Sequence, residues 1–178
     1  MSPTAKRAGE DGVTTWELVE ESEESLIWRA TVEGSEWSPF RVKMAVGASK
    51  QAIQTALLDT EGKVTLRHFT SKGMFPIAGR EFVLVTYATD LPDGRVAIAS
   101  RSIELEDVEP FEGYVRGRNI ITGYLIEEKK DEDGSVYCEV TLLAHADLAG
   151  YIPASIVNML GTSATVKVLA NLKTHLEN

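Results

Sequence analysis

Between residues 14 and 147 apolar side chains recur at every second position in run after run, and beyond Pro153 they recur at every third or fourth. Period two marks a strand with one buried face, and a period near 3.6 marks a helix. The alternation predicts strands over 14–19, 26–32 and 40–46, the last with Val42, Met44 and Val46 on one face. Ser49, followed by Ile53, Ala56 and Leu57, predicts a short helix over 49–58 with a serine N-cap. Strands follow over 64–70, 81–88, 95–105, 114–127 and 135–146, with Asp93-Gly94 and Asp133-Gly134 as hairpin turns. A corner at 148–153 leads into a helix over 153–176, where Pro153 suits a first turn because its missing N–H has no partner there. The helix carries Ile156, Met159, Leu160, Val166, Leu169 and Leu172, widened by Val157, Val168 and Leu176, the broad stripe of a helix laid across a sheet. The element order gives an α+β domain in which an antiparallel sheet of about eight strands curls around the long C-terminal helix. Residues 1–13 offer nothing to bury and are expected to form a disordered tail, which places the domain at 14–178.

Size and charge narrow the function. With 178 residues the chain is expected to form one domain, large enough to bury a core and enclose a cavity. A net charge of −9 with no cluster of Lys or Arg argues against nucleic acid, which needs a basic face. The acidic runs at 17–24, 104–112 and 127–133 read as solvated edges. No apolar run is long enough to span a bilayer, and residues 1–12 lack the apolar core of a secretory signal, so cytoplasmic residence and a monomer are the defaults. Trp16, Trp28 and Trp37 read as core anchors and Cys138 as a small buried hydrophobe. His68, His145 and His175 lie far apart, and no metal, nucleophile or phosphate-loop motif occurs. The expectation is therefore a protein without catalysis, cofactor or metal, with spatial assembly of distant residues left open.

Four segments in order then carry a resemblance: GREFVLVTY (79–87), ASRSIEL (99–105), GYVRGRNIITGYLIE (113–127) and VTLLAHADLAGYIPASIVN (140–158). Together they resemble the START family, the lipid-transfer domains related to the steroidogenic acute regulatory protein, within the helix-grip superfamily. The resemblance implies a hydrophobic small molecule, a lipid, held in a cavity closed by the C-terminal helix. The chain departs from the family in two places. Only a tight turn separates Leu58 from Val64 where the family inserts a helix and a strand, and Thr86 stands where members often place an arginine that meets a charged ligand group.

Strand alternation divides the wall of such a cavity. On 135–146 the apolar set Val136, Cys138, Val140, Leu142 and Ala144 is assigned inward, and the resemblance adds Phe82, Leu84 and Thr86, then Val96, Ile98, Ser100 and Ser102. On the closing helix Met159, Ser163 and Val166 share a face, and Gly161, Ser163 and Ala164 are small enough for something to approach. Thr86, Ser100 and Ser102 are polar points in an otherwise apolar wall, and no inward cation is recognised. A buried anion without a cation costs many kcal/mol, so a neutral lipid such as a sterol or carotenoid is expected. Met74, Phe75 and Ile77, between Gly73 and Gly79, form an apolar loop tip expected to act as a gate or to touch membranes transiently. Two rivals remain: a protein-interaction module that kept the fold without a lipid cavity, and a cyclase- or hydrolase-like enzyme of the same superfamily.

Overall fold

A computed structural model describes residues 7–8, 14–58, 64–73, 77–106 and 108–178. In chain order the elements are β1 (Arg7–Ala8), β2 (Thr14–Glu21), β3 (Ser25–Val32), β4 (Phe40–Val46), α1 (Lys50–Leu58), β5 (Val64–Ser71) and β6 (Gly79–Asp90). Then come β7 (Val96–Ser102), β8 (Tyr114–Arg116), β9 (Arg118–Lys130), β10 (Val136–Asp147) and α2 (Ala154–Glu177). The strands form one sheet in the order β1-β2-β3-β4-β10-β9-β7-β6-β5, and β8 pairs with β6. The expected α+β architecture, an antiparallel sheet with a long closing helix, is what the chain adopts. Arg7 and Ala8 of the expected tail pair with Trp16 and Thr15, and the remainder of 1–13 lies outside the described residues.

Local chemistry accounts for the elements. Ser49 caps α1 as its hydroxyl accepts the Ala52 N–H at 3.2 Å. The two hairpin turns carry left-handed glycines, Gly94 at φ 84 and Gly134 at φ 86, a conformation closed to most other residues. One expected strand, 114–127, is in fact two. A side chain at Gly117 would run into the Phe82 ring at 2.4 Å, so the chain pinches there. β8 then lies parallel to β6, and β9 turns away to pair antiparallel with β7 and β10.

Inward residues of the central strands, among them Val42, Val46, Val96, Ile126 and Val140, are fully buried together with Ile53 of α1 and Leu169 of α2. Burial of each such side chain contributes about 1.5–3 kcal/mol before the entropy of ordering is subtracted. α2 lies over β3, β4 and β10. Its C-terminal half, through Leu169 and Leu172, belongs to this packed core. Its N-terminal half does not, and the space beneath it is where the site lies.

Candidate functional site

Under the N-terminal half of α2 the sheet and the helix part to leave a cavity of about 320 Å³. Ile152, Ile156, Val157, Gly161, Ala164 and Thr165 form its roof, and Phe40, Ala144 and Ala146 part of its floor. Trp37, Ser38, Ser71, Lys72, Gly73, Ile77, Ala78, Arg80 and Leu148 complete the rim and end wall. Gly161 permits the close approach of roof and floor, because a Cβ there would meet the Phe40 ring at 2.4 Å. The roof is fastened at its start, where Ser38 N–H donates to Asn158 Oδ1 at 3.1 Å. Thr165, although buried, turns its hydroxyl back to Gly161 O at 2.7 Å and spends its donor inside the helix.

The end wall carries the group that the sequence reading missed. Arg80 is 6 % exposed and lines the cavity. Its guanidinium donates to Leu148 O at 2.6 Å, Ala78 O at 2.6 Å and Ala149 O at 3.0 Å. These bonds hold the corner before α2, where Ala149 sits at φ 52 and its N–H is caught by Asp147 Oδ1 at 2.8 Å. Burial pushes the Arg80 pKa down. The signal was available: the alternation that turns Phe82, Leu84 and Thr86 inward turns Arg80 inward as well. The premise that no cation faces inward is therefore corrected.

Glu81 points the other way and is fully buried. It accepts from Arg116 Nε at 2.7 Å and from the Phe111 N–H at 3.1 Å, and lies 3.0 Å from His68 Nε2. Phe111 stacks on His68 with ring centroids 4.4 Å apart, and Arg116 also reaches Val108 O. The cluster ties the segment before β8 to β5 and β6 and takes no part in the cavity wall.

The expected wall residues separate into groups. Ala144 and Ile77 line the cavity. Val96, Ile98, Cys138, Val140 and Leu142 are buried in the solid core, and Val166 packs against it. Val136, at the open end of β10, is exposed rather than inward. Phe82 is buried beside Gly117, and Leu84 is half-buried. Thr86 and Ser100 satisfy each other at 2.8 Å, and Ser102 Oγ accepts the Asn119 N–H at 2.9 Å. Ser163 is exposed, contrary to its inward assignment. The face that meets the sheet runs through Gly161, Thr165, Leu169 and Leu172, and two positions along a helix are a rotation of roughly 200°. The side chain of Met159 and residues Met74 and Phe75 lie outside what the structure describes.

Little here resembles catalytic machinery. Ser35 Oγ lies 3.1 Å from His145 Nε2 and 3.0 Å from Trp37 O, to which it donates. Among the described residues no group of three His, Cys, Asp or Glu side chains is placed to hold a metal, and no helix is long and apolar enough to cross a membrane.

The family model for the START domain matches residues 48–178, nearly three quarters of the sequence and all of the cavity's roof. The chain belongs to the START family. Solved START structures superpose on it closely. The human StarD13 (DLC2) lipid transfer and protein localization domain matches with a TM-score of 0.76 and 20% identity, covering 90% of this chain and 88% of its own. Human STARD10 matches with a TM-score of 0.73 and 17% identity over 89% of this chain and 71% of its own. A STAR-related lipid transfer protein fragment from Xanthomonas axonopodis matches at 0.73 and 19% identity, covering 92% of this chain and 99% of its own. Identities this low establish the fold alone. No curated protein sequence matches the chain. Its START fold is consistent with lipid binding and transfer.

Proposed function

We propose that this START domain, spanning 14–178, binds one hydrophobic small molecule beneath the N-terminal half of α2 and carries or senses it without chemistry. The observation that carries the reading is the cavity of about 320 Å³ roofed by Ile152, Ile156 and Val157 and floored by Phe40, Ala144 and Ala146. That volume lies at the lower end of the roughly 300–1,000 Å³ usual for ligand pockets. The protein works as a cytoplasmic monomer that touches membranes transiently to load and unload, and no reaction is assigned to it. The expectation of a neutral sterol or carotenoid has one support left. Thr86, bonded to Ser100, puts no charge where relatives often carry arginine, but Arg80 in the end wall removes the other support, and the ligand is defined here by its apolar body alone.

Native mass spectrometry of protein purified from lysate, followed by organic extraction, tests the reading together with transfer of a fluorescent lipid between vesicles. A discrete adduct that extracts into organic solvent, with transfer faster than spontaneous exchange, is expected. A protein without adduct that accelerates no transfer would instead be an interaction module.

A further inference from the structure

Among the described residues the charge on Arg80 has no counterpart. The guanidinium is 6 % exposed and reaches only the carbonyls of Ala78, Leu148 and Ala149, and among the described residues no carboxylate lies within 4 Å of it. Burial disfavours its charged form, and no acidic side chain offsets that cost. Residues 74–76 are Met, Phe and Pro and bring no acid in sequence. Carbonyl dipoles stabilise a cation without neutralising it. Three of its five N–H donors are engaged, and the pattern leaves one on each terminal nitrogen. α2 begins at Pro153 with no side-chain cap, and Ile156 and Val157 of its first turn line the same cavity. All this is set in a chain of net charge −9.

We propose that the cavity recognises a single-chain lipid carboxylate, a fatty acid or its close analogue, with its carboxylate on Arg80 and its alkyl chain against Phe40, Ala144 and the underside of α2. The inference rests on the lipid-binding reading above and specifies its ligand. A carboxylate brings one charge and two oxygens for the two remaining donors.

The test compares dodecanoate with methyl dodecanoate on delipidated protein, read by the fluorescence of Trp37 at the cavity rim and by native mass spectrometry. The acid is expected to bind at least tenfold more tightly than the ester. Arg80→Met is expected to abolish the preference and Arg80→Lys to keep part of it. Arg80 also holds the corner at Leu148 and Ala149, so a variant that fails to fold leaves the decision to the wild-type pair. Equal affinity, or tighter binding of the ester, overturns carboxylate recognition and leaves lipid binding standing. Saturable binding of neither compound overturns both.

Discussion

Gly161 and Phe40 fix how closely roof and floor approach, and a single methyl group tests their contact. Gly161→Ala gains about 1 kcal/mol of helix propensity but drives a Cβ into the Phe40 ring. Overpacking of this kind costs about 1–3 kcal/mol, and the ring's escape route is the cavity it lines. We expect unchanged or slightly lowered stability by thermal melting with lipid uptake reduced several-fold. Ser163→Leu, two positions on and exposed, is expected to leave both within error, and a matching loss of uptake would mean that the face is misassigned. Glu81 carries a different weight. Burial alone would push its carboxyl up, but the Phe111 N–H, Arg116 and His68 outweigh this and hold it below the usual carboxylate range. A carboxyl depressed on folding stabilises the fold above its unfolded pKa of about 4.3 and loses that contribution as pH falls through the folded value. Glu81→Gln removes the buried carboxylate's charge from the half-buried Arg116 and is expected to cost about 1–2 kcal/mol at pH 7. The gap between variant and wild type should narrow below pH 4. Urea midpoints at pH 7 and pH 3 measure it, and a gap of constant size would show that the carboxylate's charge is not what holds the cluster.

α2 is one helix with two environments. Leu169 and Leu172 are buried against β-strand side chains, whereas the first three turns rest on a cavity. Hydrogen exchange is therefore expected to be faster in 154–165 than in 166–177, and bound lipid should slow the first segment selectively. Equal protection along the helix would contradict a cavity there. Leu169→Ala is expected to cost about 3 kcal/mol, as for a filled core position. Much of this architecture was legible beforehand. The serine cap of α1, the Asp-Gly turns and the alternation of β4, β6 and β10 each have a local cause that composition alone can express. The orientation of α2 was not. Apolar residues on nearly all sides, Ile156, Val157, Val166 and Val168 among them, leave the buried face to be decided by the sheet it meets. The break at Gly117 was equally hidden, since its cause is the Phe82 ring on another strand. Arg80 was readable from strand parity, and reading the strand only from Glu81 onward left it out.

At the scale of the molecule, the sheet stops at β5. Val64 is 62 % and Leu66 59 % exposed, with Tyr87 beside them on the same outer surface. An open strand edge flanked by apolar side chains is a template for unwanted pairing. Leu66→Lys is expected to lower light scattering in concentrated or heated samples while leaving the melting temperature within about 2 °C, a surface effect of a few tenths of a kcal/mol. No change in scattering would place the association elsewhere. The sheet also holds a seam. β4 pairs with β10, so that Val46 lies opposite Cys138, and loop-closure entropy over roughly ninety residues must be met before that ladder forms. Hairpins on either side close over a few residues in microseconds, and the seam follows far behind them. Synthesis runs in the same direction. A ribosome releases β2 to β4 long before β10 and α2, at about 5–20 residues per second, and those early strands wait seconds for the surface that will complete them. The cavity beneath α2 does not exist during that interval, and under the proposed function a lipid enters only a chain whose α2 has already left the exit tunnel.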